Sequence, residues 1–422
     1  MQFESLCLHA GYEPKNGEPR VLPIVQSTTF KYESTAAVQK LFDLEAPGFF
    51  YSRLSNPTVD YVEQKLTALE GGVGTVMTSA GQAASFIAIL NLCKAGDHVV
   101  SASSIYGGTF NLFAVTLKRI GIEVTFVHET ASEEEIEKEI RPNTKAVFGE
   151  TIANPSMDVF DIEKFARIAH RHQIPLIVDN TFATPYLCRP FEYGADIVVH
   201  STTKYLDGHA LTVGGAIVDS GNFDWAASPR FKEFVEPDES YHGTVYTKAF
   251  GKAAYIVKAR AQLIRDIGCV QTPQAAFYIN LGLETLPLRM DRYCENALKV
   301  AKWLKTSDKI EEVRYPGLED DPNYALAKKY LKKGASGVIS FVLKGGREGG
   351  ARFIDNLKMS TLQVHVADIR TCVLHPASST HRQLTDEQLV DCGIPLGLVR
   401  LSVGLEAVED IIADLEQALA HV

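Results

Sequence analysis

Short apolar runs alternate with amphipathic stretches between residues 75 and 218, and this alternation constrains the fold more than any other feature. The runs have the length of buried strands and lie at 75–78, 97–102, 123–127, 144–150, 175–179, 197–201 and 214–218. The stretches between them have helical periodicity and lie at 82–93, 109–120, 133–139 and 162–172. Apolar strands separated by helices predict an α/β fold with a mostly parallel, doubly wound sheet covered on both faces.

The segments on either side of this region have different patterns. Residues 1–60 are irregular and rich in Gly, Pro, Ser, Thr and Tyr, with one short helix predicted at 34–43. Such a segment needs support from the rest of the protein or from a neighbour. A helix is predicted at 58–70, and a longer helical pattern at 249–266 can bridge two domains.

The last third of the chain predicts a smaller α+β domain. Its predicted elements are helix 289–305, strands 337–343, 370–374 and 398–402, and helix 408–420. We therefore divide the chain into an N-terminal arm (1–60), a large domain (61–266) and a smaller C-terminal domain (267–422).

Composition excludes several classes of protein. With 42 basic and 52 acidic side chains, the net charge is −10, which argues against nucleic acid or an anionic membrane as a partner. No window reaches the ~18 apolar residues of a membrane span, and the N-terminus lacks the pattern of a signal peptide. Seven scattered cysteines without a C-x-x-C pair fit reduced thiols in the cytoplasm.

Two common kinds of α/β site are not indicated. No G-x-x-x-x-G-K-[ST] occurs, and the nearest match to G-x-G-x-x-G is the run 345–350, which has Arg347 at the middle glycine position. That run predicts a glycine-rich turn, and a nucleotide-dependent dehydrogenase is a distant alternative. His170 and His172 are two apart on a predicted helix and face different directions, so we expect no metal site.

A lysine and an aspartate follow neighbouring predicted strands. Strand 197–201 leads into Lys204, and strand 175–179 ends at Asp179. Since α/β sheets bind ligands at the carboxyl ends of their strands, the two side chains can meet at one edge. A partly desolvated lysine can form a Schiff base, and a carboxylate opposite a pyridine nitrogen keeps that nitrogen protonated.

Small residues and an aromatic residue complete this pattern. The turn 78–82, which includes Gly81 and Gln82, can bind a phosphate through its amides and the helix dipole. Ser201 and Thr203 can add hydroxyl donors, and Tyr106 can stack on a cofactor ring. Together these elements indicate a site for pyridoxal 5'-phosphate.

Eight segments carry a resemblance to a known family. They are YSRLSNPT (51–58), TSAGQAA (78–84), SSIYGGTF (103–110), ETIANPS (150–156), VDNTFATP (178–185), HSTTKYLDGH (200–209), HPASSTH (375–381) and LVRLSVGLE (398–406). Over essentially its whole length, the chain resembles the Cys/Met-metabolism family of pyridoxal phosphate enzymes. The resemblance implies the aspartate-aminotransferase-like fold (fold type I) and a homotetramer of two intimate dimers.

The resemblance also implies roles for individual residues. Lys204 carries the cofactor and serves as the general base, while Asp179 pairs with the pyridine nitrogen. Tyr106 stacks on the ring and assists proton transfer, and Asn154 bonds the ring hydroxyl. The phosphate is held by four residues: Gly81, Gln82, Ser201 and Thr203.

Three further residues are assigned to the substrate and to the neighbouring subunit. Tyr51 and Arg53 of the arm reach the phosphate of the neighbouring subunit, and Tyr51 also contacts the substrate. Arg400 binds the α-carboxylate of the amino-acid substrate.

Members of this family differ mainly in substrate, and three features favour the acyl-homoserine sulfhydrylases. These are Gly108, where methionine γ-lyases have cysteine, the long segment that includes 234–246, and the stretch 367–381 with Arg370. We therefore expect γ-replacement, in which O-acetyl-L-homoserine and sulfide give L-homocysteine and acetate. The alternatives are a methionine or homocysteine γ-lyase, a cystathionine γ-synthase-type enzyme and a non-catalytic scaffold.

Overall fold

The computed structural model describes residues 1–380, 382, 385–391 and 393–422. Its strands are β1 (Gly74–Thr78), β2 (His98–Ala102), β3 (Glu123–Val127), β4 (Thr144–Glu150), β5 (Leu176–Asp179), β6 (Ile197–His200), β7 (Gly215–Asp219), β8 (Ile310–Arg314), β9 (Val338–Leu343), β10 (Thr361–Leu362), β11 (Cys372–Leu374) and β12 (Leu398–Ser402).

The α-helices are α1 (Phe3–His9), α2 (Thr35–Phe42), α3 (Pro57–Glu70), α4 (Gly81–Leu90), α5 (Gly107–Asn111), α6 (Glu133–Lys138), α7 (Ile162–Arg171), α8 (Thr184–Leu187), α9 (Lys232–Val235), α10 (Tyr246–Phe250), α11 (Ala254–Lys258), α12 (Arg265–Ile267), α13 (Pro273–Glu284), α14 (Leu286–Leu304), α15 (Tyr324–Tyr330), α16 (Gly346–Asp355), α17 (Asp386–Asp391) and α18 (Val408–Leu419). Two segments are π-helical, Leu112–Leu117 and Ala259–Ile264.

Seven strands form the first sheet, in the order β1-β7-β6-β5-β4-β2-β3. The five strands from β6 to β3 in this order are parallel, and β7 runs antiparallel to both β6 and β1. β2, β4 and β7 are buried along their whole length, as strands covered on both faces must be. The mostly parallel sheet that the sequence predicts is confirmed.

Five strands form a second, smaller sheet, in the order β10-β11-β12-β9-β8. It is antiparallel except for the short pair β10–β11. The glycine-rich run is not a simple turn, because α16 begins at Gly346 inside it. The strand before it, β9, has antiparallel neighbours on both sides, so the run does not belong to a parallel nucleotide-binding unit.

Two parts of the structure depart from the predicted helices. Instead of one continuous helix at 249–266, there are short helical segments, with Gly251 at φ +53° between α10 and the following turn. The helix predicted at 109–120 begins earlier, at Gly107, and becomes π-helical at Leu112.

The N-terminal arm begins with a helix that the sequence pattern does not predict. In α1, Cys7 is fully buried, and the helix packs against α3 and α13. α13 also packs on α3, where Lys65 Nζ donates to Asn280 Oδ1 at 2.6 Å. α13 thus contacts α3, a helix that packs on the first sheet, although the predicted division assigns α13 to the C-terminal domain. The division itself stays a prediction.

No helix in the described part of the chain combines the length and apolar character needed to cross a bilayer.

Candidate active site

Asp179 and Lys204 lie at the carboxyl ends of two paired strands. β5 and β6 are parallel neighbours, with Asp179 opposite Val199, and Lys204 follows in the turn after β6. Thr181 joins the two strand ends. Its hydroxyl and its amide both donate to Asp179 Oδ1, and the Ser201 amide donates to the Thr181 hydroxyl at 2.8 Å. Sequence reasoning missed Thr181, although it lies two residues after Asp179.

A second carboxylate, Glu150, stands beside Asp179 at the end of β4. The two residues are register partners, and burial raises the pKa of both carboxyl groups, with Asp179 further raising that of Glu150. Glu150 Oε1 accepts a hydrogen bond of 2.7 Å from the Tyr106 amide. Glu150 thereby fixes the backbone of Tyr106, whose side chain is 47% exposed beside the site. Glu150 is not among the residues predicted from the sequence, although the motif that contains Asn154 begins with it.

A buried polar pair lies next to the turn after β6 that carries Lys204 (residues 201–209, the lysine turn). His200 Nε2 and Glu70 Oε1 are 2.5 Å apart, and both side chains are fully buried. Asn180 donates to the same Glu70 oxygen at 3.1 Å and accepts from Thr151 at 2.8 Å. This network links α3 to the ends of β4, β5 and β6 and rigidifies the edge that carries the site.

The predicted phosphate turn lies directly against the lysine turn. Gly81 is the first residue of α4, and a Cβ on it would be 2.6 Å from the Cβ of Ser201. Gln82 Nε2 donates to Thr109 Oγ1 at 3.2 Å. The Thr203 hydroxyl is bonded to Gly214, donating to its carbonyl at 3.1 Å and accepting from its amide at 3.0 Å.

Lys204 is partly buried, and its amine points toward the second sheet. Nζ is 3.3 Å from Nδ1 of His365, in the loop between β10 and β11. Burial and, less strongly, the positive charge of Arg400 lower the pKa of Lys204 to about 8. An amine with this pKa has a much larger unprotonated fraction near neutral pH than an ordinary lysine, and nucleophilic attack on a carbonyl requires the unprotonated form. The sequence analysis missed His365.

Arg400 comes from the second sheet, in the middle of β12, and is 6% exposed. Nη1 donates to Asn154 Oδ1 at 3.2 Å, and Nη2 donates to the carbonyls of Val364 at 3.0 Å and His365 at 3.3 Å. Burial lowers its pKa to about 10, so it remains charged at neutral pH. Its Nε has no partner among the described residues, which leaves a donor for a ligand.

Tyr51 and Arg53 make contacts away from this cluster. The Arg53 guanidinium lies 5.2 Å from the centroid of the Tyr51 ring. Together with Arg265, which has the larger effect, the positive charge of Arg53 lowers the pKa of Asp266 in α12. Tyr51 is 40% exposed. Within one chain, then, the structure brings together the other predicted site residues and leaves these two at the arm.

His170 and His172, the pair considered for metal binding, have other partners, and so has His375 of the motif HPASSTH. His170 Nε2 pairs with Asp196 Oδ2 at 2.8 Å, and His172 lies 3.7 Å from Glu137. The ring of His375 bonds Ser378 and Leu396, which holds the turn after β11. His381, at the end of the same motif, lies outside the described residues.

A mostly parallel α/β sheet with a lysine and a carboxylate at one edge, facing a buried arginine from a second sheet, is an arrangement that suits a cofactor-dependent enzyme. The chain belongs to the family of Cys/Met metabolism PLP-dependent enzymes, whose model matches residues 4–420. Its cofactor is pyridoxal phosphate, and its fold is that of the fold-type I enzymes.

Similar proteins cover the chain from end to end. It is 44% identical to the O-acetyl-L-homoserine sulfhydrylase of Leptospira meyeri over 99% of this chain and 97% of that one. It is 46% identical to the homocysteine/cysteine synthase of Saccharomyces cerevisiae over 100% of this chain and 98% of that one.

A solved structure from Campylobacter jejuni, assigned as an O-acetylhomoserine (thiol)-lyase, superimposes with a TM-score of 0.96. Its sequence identity is 38%, and all of both chains is covered. That structure contains N'-pyridoxyl-lysine-5'-monophosphate at its own position 205.

The residues at this edge fit pyridoxal phosphate. Gly81 leaves room beside Ser201 that a side chain would fill, at the N-terminus of a ten-residue helix that attracts a phosphate. Lys204 has an amine that titrates at about 8, as attachment to an aldehyde requires.

Gly81→Ala is expected to weaken pyridoxal phosphate binding by at least about ten-fold, because its methyl group would meet Ser201 and the backbone must shift. The visible absorbance of the full-length chain, titrated with the cofactor, measures this affinity. The control is Gly349→Ala in α16, where the added carbon meets only Val422 at 3.4 Å. Equal affinities for the two variants would contradict the placement of the phosphate at Gly81.

Proposed function

We propose that this chain is an O-acetylhomoserine sulfhydrylase that replaces the acetoxy group of O-acetyl-L-homoserine with sulfide. In this reaction the Cγ–O bond breaks, a Cγ–S bond forms, and the products are L-homocysteine and acetate. The observation that carries the proposal is the convergence of Lys204 and Arg400 from two different sheets. One supplies an amine with a pKa of about 8 and the other a buried guanidinium that can bind a carboxylate.

Pyridoxal phosphate, when bound, supplies an electron sink for negative charge at the substrate's Cα. Asp179 would hold its pyridine nitrogen, and Tyr106 and Asn154 would contact its ring and ring hydroxyl. The phosphate would be held by a set of four residues: Gly81, Gln82, Ser201 and Thr203. Ser201 offers a free hydroxyl more readily than Thr203, whose hydroxyl is bonded to Gly214.

Lys204 moves protons in this scheme. Its free amine takes the proton from Cα and then shifts protons at Cβ, so that acetate can leave from Cγ. A pKa of about 8 suits both directions of transfer near neutral pH, since neither form of the amine is strongly favoured. Tyr106, beside the site, assists proton transfer near the leaving group.

Arg400 orients the substrate. A carboxylate bound to its guanidinium fixes the amino acid at the end that carries Cα, so that the Cα–H bond faces the amine of Lys204. The contact of Nη1 with Asn154 holds the guanidinium from one side, and the contacts of Nη2 hold it from the other.

Gly108 supports the sulfhydrylase assignment. A Cβ at this position would be 2.5 Å from Cε1 of the Tyr106 ring and 3.0 Å from Nε2 of Gln82. A larger residue would displace the Tyr106 ring, so glycine here sets where that ring can lie. Arg370 Nη2 donates to His209 O at 3.1 Å, which ties the loop before β11 to the turn that carries Lys204.

The enzyme is proposed to act as a homo-oligomer, a tetramer of two dimers, in the cytoplasm. Tyr51 and Arg53 are both exposed and would complete the phosphate site of the neighbouring subunit, with Tyr51 also reaching the substrate. Free thiols support the cytoplasm. The six cysteines that the structure describes are unpaired, and Cys392 lies outside the described residues.

Product analysis tests the proposed function. The purified enzyme is incubated with O-acetyl-L-homoserine with and without sulfide, and with L-methionine in parallel. Sulfide-dependent homocysteine with little oxo acid is the expected result. Oxo acid and methanethiol from L-methionine, with little replacement, would overturn the proposal in favour of a γ-lyase.

A further inference from the structure

The loop 363–371 carries a histidine, His365, to the catalytic edge. The loop joins β10 to β11 and is fastened to the lysine turn, because the Ile369 amide donates to Gly208 O at 2.9 Å. A second hydrogen bond joins the loop to this turn, since Arg370 Nη2 donates to His209 O. The loop therefore has a fixed position over Lys204.

The backbone of His365 is held by the same arginine that is proposed to bind substrate. Its carbonyl accepts from Arg400 Nη2 at 3.3 Å and from Cys372 Sγ at 3.3 Å. With the carbonyl held twice, the backbone of His365 is fixed beside the lysine.

The side chain of His365 acts as a hydrogen-bond acceptor. Nδ1 lies 3.3 Å from Lys204 Nζ, and the ammonium form of the lysine can only donate, so toward that form the ring accepts at Nδ1 and carries its proton on Nε2, a buried atom without a partner among the described residues. The charged groups that face His365 are Lys204, Arg400, Arg370 and Asp368. Burial of the ring and, less strongly, the positive charge of Lys204 lower the pKa of His365 to about 4. The negative charge of Asp368 opposes them only in part. The ring therefore stays neutral, and Nδ1 remains able to accept, at neutral pH.

We propose that His365 is a positioning residue for Lys204, holding its amine on the Arg400 side of the site whenever that amine is not attached to the cofactor. The proposal rests on the proposed function only in taking Lys204 as the base. In a reaction that moves protons at Cα and Cβ, the released lysine must stay near the substrate carbons. A hydrogen bond to a fixed acceptor restricts the rotamers of the lysine and shortens the search for the reactive geometry.

Two variants separate positioning from packing. His365→Asn keeps an acceptor oxygen at the position on Cγ that Nδ1 occupies, whereas His365→Leu keeps an apolar side chain of similar size without one. The first readout is deuterium exchange at Cα of L-norvaline, an amino acid without a γ-leaving group, followed by NMR in D₂O with the loaded enzyme. The second is the pH dependence of cofactor attachment to the cofactor-free full-length chain, followed by visible absorbance.

The Leu variant is expected to slow Cα exchange by about ten-fold or more at unchanged norvaline affinity, and the Asn variant by less than about three-fold. The midpoint pH of attachment should fall in the Leu variant, because the ammonium form of Lys204 loses an acceptor that stabilises it. The other groups that act on Lys204, Arg400 and Cys372, are unchanged in both variants.

Equal exchange rates for the Leu variant and the wild type, or equal losses in the two variants, would overturn the proposal and leave His365 a packing residue. These outcomes are separable from failure of the sulfhydrylase assignment. Cα exchange of norvaline needs neither sulfide nor an acetyl group, so it is measured whatever the preferred substrate.

Discussion

Replacing Lys204 with methionine is expected to lower kcat/KM for homocysteine formation by at least about a thousand-fold. Methionine fills similar volume but can neither attach the cofactor nor move a proton. The residual rate should be independent of pH near 8, where the wild-type rate follows the titration of the Lys204 amine. Steady-state assays of homocysteine between pH 6 and pH 10, on enzyme saturated with cofactor, measure both effects.

Lys258→Met is the matched control for this variant. Lys258 is also buried, and burial also lowers its pKa to about 8, but its amine bonds the backbone and side-chain oxygens of Asn91. We expect this variant to lose about 1–3 kcal/mol of folding stability, because the Asn91 oxygens lose a donor, and to keep its kcat/KM. A thousand-fold loss in Lys258→Met, or an active Lys204→Met, would contradict the assignment of the base.

Arg400→Leu is expected to reduce kcat/KM for O-acetyl-L-homoserine by about a hundred-fold or more, since removing one partner of a buried charge-assisted contact costs about 2–5 kcal/mol. Arg400→Lys should recover only part of this loss. A lysine keeps the positive charge but lacks the planar pair of donors that matches a carboxylate. KM should rise and kcat should fall, because the carboxylate both binds the substrate and sets the direction of the Cα–H bond.

Arg230→Lys provides the comparison at a structural arginine. Arg230 Nη1 donates to the carbonyls of Arg141, Pro142 and Thr144 near the start of β4, at the opposite edge of the sheet. Its replacement should lower the melting temperature and leave KM unchanged. If the Arg400 variants had normal KM values with a lowered melting temperature, Arg400 would be a structural residue like Arg230.

The first sheet was predictable because its strands are short, uniformly apolar and separated by helices. The second sheet was predicted only in part. In β8 both Glu311 and Glu312 are exposed, and β10 has two residues, so neither strand has an apolar run. α16 was not predicted because it contains Gly349 and Gly350, which are unusual inside a helix. Glycine is present there because of packing against a distant part of the chain. A Cβ on Gly350 would be 2.6 Å from Nε2 of His375.

The candidate site likewise has residues that were predictable from the sequence and residues that were not. Lys204 and Asp179 follow predicted strands, so the parallel order of β5 and β6 is enough to bring them to one edge. Glu150 and His365 act through contacts between distant parts of the chain. His365 is 161 residues from the lysine it contacts, and no local pattern relates the two. Arg400 was found through its motif, since a single arginine on a strand has no signal of its own.

The most direct test of the account is to locate the attached cofactor. The holoenzyme is reduced with borohydride, which fixes the cofactor to its lysine, then digested and analysed by mass spectrometry. A pyridoxyl group is expected on the peptide that contains Lys204 and on no other lysine peptide. A pyridoxyl group on Lys258, the other buried lysine with a pKa of about 8, would contradict it.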